Sequence, residues 1–285
     1  MPNISVSNLY VLMGMNYFKK FDGVLASVWK SYDREDFLKW EKSVDISKVA
    51  SSAVQLEHIQ KKLKVDISSQ LKICQNTVCA KDLMNKQREI VNTLIRGMST
   101  DARPEDVSKL EQDVSKLIKD NTNTSFGNRH EGSAIEKFEA ETNLKVVNQQ
   151  RRFNFEIGTY NGLDWKLVGL IDGMTATGEI VEIKNRVGSM PKNKALKNYE
   201  TPQIMTYMWL AGAKTGYLAE NYKISGSENL RIIPLKYKDD YFEKSVLPAI
   251  EKFIVFFNVF IGNDNMKSML IKGDEENLYK IFLGC

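Results

Sequence analysis

VGLIDGMTATGEIVEIKNR, running from Val168 to Arg186, holds two apolar, β-branched segments around a polar turn. Trp165 to Ile171 and Glu179 to Lys184 are predicted strands, with Thr175–Gly178 as the turn between them. Asp172 ends the first segment. Glu182 and Lys184 lie on the second, separated by Ile183. Side chains alternate along a strand, so Glu182 and Lys184 share a face and Ile183 points to the other. A hairpin through Thr175–Gly178 brings Asp172 beside Glu182. Two carboxylates and an ammonium then converge at one end of a sheet.

Such a set suits phosphodiester hydrolysis. Carboxylates hold a hard, oxygen-seeking cation such as Mg²⁺. The cation polarises a phosphoryl group and lowers the pKa of a bound water. The lysine orients the attacking water and offsets the charge that builds on the phosphate. A hairpin with an exposed Glu–Lys ion pair would use the same residues. At this one spacing the pattern arises by chance roughly 0.05 times in a chain of this length.

Outward from this hairpin, the two sides of the chain differ in character. The first 125 residues read as helical and polar. Val54, Leu56, Ile59 and Leu63 recur at three- and four-residue spacing within 49–65, and Leu83, Ile90, Leu94 and Ile95 mark a second helix ended by Gly97. Pro104 opens a third, with Val107, Leu110, Val114, Leu117 and Ile118 on one face and Glu105 and Asp106 in its first turn. Asn121–Gly127 has the composition of a loop. A helix over about 129–142 follows, then one strand or a bent pair over 145–157. Beyond the hairpin, a helix over 196–211 is delayed by Pro202. Strands over 216–221 and 230–237, a long helix over 239–260 interrupted at Pro248, and a short helix over 275–283 complete the order. The fold class expected is α/β: a mixed β-sheet flanked by helices over 126–285, with a helical N-terminal region over 1–125.

The 285 residues can bury enough core to fold alone. A net charge of +4 neither demands nor excludes a nucleic-acid partner, because a local basic groove can coexist with balanced totals. Three cysteines, Cys74, Cys79 and Cys285, form no disulfide framework and suit a reducing, intracellular setting. Cys74 and Cys79 lack the second pair that a zinc or iron–sulfur site needs. No apolar h-region follows Met1-Pro2-Asn3, so no secretory leader is expected, and the apolar run 253–262 is too short to span a bilayer. His58 and His130, the two histidines, stand in no arrangement with Ser or Cys that suggests a nucleophile.

Two further motifs flank the hairpin. Before it comes Gly127-Asn-Arg-His-Glu131, followed by Gly-Ser-Ala-Ile-Glu136; after it comes Tyr199-Glu-Thr-Pro-Gln203-Ile-Met-Thr-Tyr207. With the Asp172…Glu182-Ile183-Lys184 hairpin between them, this region, about Ser125 to Asn221, resembles the PD-(D/E)XK nuclease superfamily. Within it, the likeness is to the lambda-exonuclease-like group that includes viral YqaJ-type recombinases. The resemblance implies a restriction-endonuclease-like core. It implies Glu131, Asp172, Glu182 and the main-chain carbonyl of Ile183 as metal ligands, Lys184 as the catalytic lysine, and Gln203 as a residue that places the strand or the lysine. Ile171 stands where the superfamily's name has proline. That proline takes no part in the chemistry.

Arg129, Lys192, Lys194 and Tyr207 are candidate substrate contacts, the first three for backbone phosphates. Taken alone, Glu131 would also suit a solvated first-turn acid, Tyr207 a core tyrosine, and the lysine run a solvated face. The function expected from the resemblance is Mg²⁺-dependent hydrolysis of linear duplex DNA from an end, with Mn²⁺ as a substitute, in recombination, repair or viral DNA processing. Duplex DNA ends, a single-strand annealing protein and further copies of the chain are the partners it implies. The setting is intracellular, in cytoplasm or nucleus, or inside an infected host cell. An endonuclease of the same fold and a non-catalytic nucleic-acid-binding module are the rival expectations.

Overall fold

The computed structural model describes the chain except residues 16–19, 46, 78, 99–102, 187–189, 191–195, 225–226 and 285; of residues 124, 127–129, 223–224, 227–228 and 275 it describes the backbone. The chain opens on strand β1 (Asn3–Ser5), a 3-10 turn (Val6–Asn8) and helix α1 (Leu9–Leu12). Helices α2 (Phe21–Tyr32), α3 (Arg34–Glu41), α4 (Ser52–Leu63), α5 (Ser68–Gln75), α6 (Ala80–Arg96), α7 (Pro104–Arg129) and α8 (Glu131–Thr142) follow. Next come β2 (Val146–Val147), β3 (Arg152–Tyr160), β4 (Leu163–Leu170), β5 (Gly173–Thr175) and β6 (Ile180–Arg186). Helix α9 (Thr201–Ala211), β7 (Thr215–Ile224) and β8 (Ser227–Lys236) lead to a π-helical turn (Phe242–Val246). Helices α10 (Leu247–Ile261), α11 (Asp264–Lys272) and α12 (Glu275–Gly284) complete the fold.

Local chemistry sets several of these boundaries. Asp33 and Ser51 cap α3 and α4, their side chains accepting from the backbone N–H groups of Asp36 and Val54. Pro202 stands in the first turn of α9, and Gly212, at φ 66°, closes it in the left-handed conformation.

The strands form two mixed sheets flanked by helices, an α/β fold as expected. One sheet has the order β1-β4-β3 and the other β2-β5-β6-β7-β8. The central pair β6–β7 is parallel, with Lys184 opposite Glu220 and Glu182 opposite Leu218. On one side of the larger sheet, α8 packs Ala134, Ile135 and Phe138 on Val181, Ile183 and Ala219. On the other, α9 contributes Ile204, Tyr207 and Met208 to the largest core. That core also takes in Ile4, Leu9 and Trp29 from the N-terminus and Phe253, Phe256 and Phe257 from α10. Helices α4–α7 bury their own cluster, including Leu56, Leu83, Ile90, Val114, Ile118 and Phe126.

Three features of the fold depart from the sequence reading. Asn121–Gly127, expected to be a loop, continues α7. Its polar side chains are occupied by neighbouring helices: Gln87 donates to Thr122 Oγ1 (2.7 Å) and Asn123 Oδ1 (2.9 Å), and Gln75 donates to Asn121 Oδ1 (3.0 Å). Tertiary bonds thus override a composition that favours turns. The first 125 residues are not wholly helical, because β1 pairs in parallel with β4. The segment 145–157 is divided between sheets, β2 joining β5 and β3 joining β4. The long C-terminal helix is interrupted beside Pro248 as expected: the π-helical turn runs without a gap into α10 and places Pro248 in its first turn. Among the described residues no single helix is long and apolar enough to cross a membrane.

Candidate active site

The sheets meet where β4 ends and the chain turns into β5. Ile171 is fully buried there, its N–H bonded to Arg151 O at 3.1 Å. Gly173 follows because a Cβ at that position would lie 2.4 Å from Val146 Cγ1. Asp172 sits between them, and its Oδ2 accepts the backbone N–H of Ile183 at 2.7 Å. Strand β6 is therefore tied to this corner by the carboxylate itself. The hairpin onto β6 is made by β5, while β4 belongs to the other sheet.

Glu182, Lys184 and Gln203 lie together on the α9 side of β6. Glu182 is 1% exposed, and its Oε1 accepts from Lys184 Nζ (2.5 Å) and from Gln203 Nε2 (2.7 Å). The Lys184 ammonium also lies 3.5 Å from Gln203 Oε1. Glu182 Oε2 is buried and has no hydrogen-bond partner among the described residues. Ile183 points the other way, into the α8 core, as alternation requires.

Tyr207, one turn beyond Gln203, is 2% exposed. Its hydroxyl donates to Leu170 O (3.0 Å) and accepts from Leu170 N (3.3 Å). Its ring covers Gly169, where a Cβ would meet Tyr207 Cε1 at 2.5 Å. The residue expected as a substrate contact is thus a buried brace for the end of β4. Glu131, the first residue of α8, is partly exposed and accepts from Gln150 Nε2 at 2.5 Å. Among the described residues, no three carboxylate, imidazole or thiol groups are drawn together as around a metal. The side chain of Arg129, and Lys192 and Lys194 altogether, lie outside the described residues.

Burial and like charge set the electrostatics. Loss of solvent raises the pKa of Asp172, with the Glu131 charge adding to it, against the pull of Lys184 and the Ile183 N–H. Glu182 is raised by burial and then by the charge of Asp172. Burial opposes the charge on Lys184, but Glu182 and Asp172 outweigh it and hold the ammonium protonated.

The sequence reading missed four charged neighbours. Arg186 ion-pairs with Glu200 and Glu220, and Arg231 ion-pairs with Glu220. The available signal was alternation, since Glu182, Lys184 and Arg186 occupy every second position of β6.

The YqaJ-like viral recombinase domain family matches residues 49–214, more than half of the chain. The chain belongs to this family. The YqaJ match starts at Val49, well before Ser125, so α4–α7 are part of the family domain. It ends at Lys214 and leaves out β7, β8 and the N-terminal and C-terminal parts of the largest core. Glu131, Asp172, Glu182, Lys184, Gln203 and Tyr207 all fall within it. Membership in the YqaJ group supports a nuclease role.

No curated protein matches the chain. Among solved structures, SSO0001 is 17% identical with a TM-score of 0.35, covering 52% of this chain and 66% of that one, just under two thirds. LHK-Exo, an alkaline exonuclease from Laribacter hongkongensis, is 13% identical with a TM-score of 0.33, covering 67% and 87% of the two chains. LHK-Exo in complex with dAMP gives 12%, 0.35, 62% and 82%. Overlaps this loose identify neither reaction nor substrate.

Proposed function

We propose that the chain is a Mg²⁺-dependent deoxyribonuclease that degrades linear duplex DNA from an end. The observation that carries this reading is the meeting of Asp172, Glu182 and Lys184 at one corner of the sheet, with Gln203 bridging Glu182 and Lys184.

The residues fit a hard divalent cation. Glu182 offers a buried oxygen that lacks a partner among the described residues, and the mutual repulsion of Asp172 and Glu182 is what a cation would relieve. Asp172, Glu182 and the Ile183 carbonyl would hold it, with Glu131 as a further ligand once released from Gln150. When bound, Mg²⁺ supplies polarisation of the phosphoryl oxygen and a water of lowered pKa, and Mn²⁺ can serve in its place.

The protein's own groups do the rest. Lys184, kept charged by its acidic neighbours, orients the attacking water and offsets charge gathering on the phosphate. Gln203 fixes both partners of that ion pair. Arg129, Lys192 and Lys194 are assigned to backbone phosphates on their sequence positions. A role in recombination, repair or viral DNA processing, an intracellular setting, a single-strand annealing partner and self-association belong to this reading by family kinship. Labelled linear duplex incubated with Mg²⁺ tests it: release of mononucleotides is expected, and none with a chelator. Cutting that is undiminished by chelation would overturn the metal assignment.

A further inference from the structure

Beyond the groups assigned to the reaction, a buried ladder of charge continues along the same face of β6. Arg186 stands two residues past Lys184. Its Nε and Nη2 donate to Glu220 Oε1 at 3.0 and 2.8 Å, and its Nη2 also donates to Glu200 Oε1. Glu220, on β7, lies directly opposite Lys184, and its other oxygen is taken by Arg231 from β8. Arg186 is thereby tied to β7 directly, and to β8 only through Glu220. Glu200 precedes the first turn of α9, its carbonyl accepting from Ile204 N at 3.1 Å. Its side chain is 2% exposed, against 18% for Arg186. Three residues further on, Gln203 reaches Glu182.

We infer that Arg186 and Glu200 form a positioning clamp that locks the first turn of α9 onto β6 and so holds Gln203 against Glu182 and Lys184. The guanidinium suits this task because its rigid planar fork holds two carboxylates in a fixed relative geometry, whereas an ammonium is a point charge on a flexible stem. Stability alone is a poor reason for such a pair, since buried ion pairs often contribute less than apolar side chains of equal volume. The inference rests on the nuclease reading of the site for its consequence, though not for its geometry.

The test uses the full chain carrying Arg186→Met together with Glu200→Gln. Both substitutions conserve volume, and the Glu220–Arg231 pair stays intact, so no charge is stranded. Two readouts apply. The first is the Gln203 side-chain amide in ¹⁵N spectra, assigned by its absence in Gln203→Leu. It is expected to move toward the position of free glutamine. The second is cleavage of linear duplex, where kcat is expected to fall roughly 10- to 100-fold with KM unchanged. A folded double variant whose Gln203 amide stays in place overturns the clamp, and so does a displaced amide with unchanged kcat. If the double variant does not fold, Arg186→Lys keeps the charge and removes the fork. The same amide shift is expected there, and its absence is equally fatal. Native protein and Lys184→Ala are run in parallel: no cleavage by the native protein defeats the nuclease reading, retained cleavage by Lys184→Ala defeats the assignment of the site, and in either case the amide decides the clamp by itself.

Discussion

Among the described residues, Glu182 takes two hydrogen bonds on one carboxylate oxygen and none on the other, deep in the protein beside a second acid. Its consequence is a pH signature. Asp172 and Glu182 both bind protons more tightly in the folded chain than in the unfolded one. Their contribution to stability is fully present below the ordinary carboxylate range and is lost as pH rises through their raised pKa values. Cation-free protein should therefore melt at progressively lower temperature between about pH 5 and about pH 8, and Glu182→Gln should show a shallower fall. Identical slopes would remove Glu182 from this explanation. Mg²⁺ added at the upper end should raise the melting temperature of the native chain but not of Asp172→Asn/Glu182→Gln, because only the former binds it in the folded state. At this scale the shared face of Glu182 and Lys184 was legible, because strand alternation is strict. The capture of Glu131 by Gln150 was not. It depends on how the turn between β2 and β3 returns over α8, which no local pattern encodes.

Among the elements, α9 shows the division between pattern and packing most clearly. Its start at Pro202 and its end at Gly212 were readable from backbone chemistry, while the destination of Tyr207 was not. Tyr207 is oriented by the absence of a side chain at Gly169, on a strand 38 residues earlier. Tyr207→Phe keeps the ring over that glycine and loses the bonds to Leu170, so urea unfolding should show a loss of about 1 kcal/mol with cleavage retained. Weakened DNA binding at unchanged stability would instead make Tyr207 a substrate contact. Helix α7 carries a second prediction. Phe126 is 1% exposed in the cluster of α4–α7, within the segment whose composition suggests a loop. Phe126→Ala should cost roughly 3–5 kcal/mol in the same measurement, as loss of a buried aromatic does. A cost near zero would mean that this turn of helix contributes no core.

Across the whole molecule, residues far apart in sequence complete one another. The largest core joins Ile4 and Trp29 to Phe253 and Phe257, and β1 extends the sheet that contains β4. The α/β class followed from hydrophobic periodicity. The pairing of N-terminal and C-terminal segments could not, since long-range contacts leave no periodic trace. The family match takes in the helices α4–α7 together with the site. We expect linear duplex to be degraded and covalently closed circles to be spared, with rates that fall as salt rises and counterions compete for the phosphates. Rapid linearisation of the circle without mononucleotides would move the assignment to an endonuclease of the same fold. The most direct measurement compares the native chain with Lys184→Ala on end-labelled linear duplex in Mg²⁺, with folding of both verified by melting. The native chain should release mononucleotides, and Lys184→Ala should fall by about 10²-fold or more while still binding the cation. Equal release by the two proteins would contradict the assignment of the site.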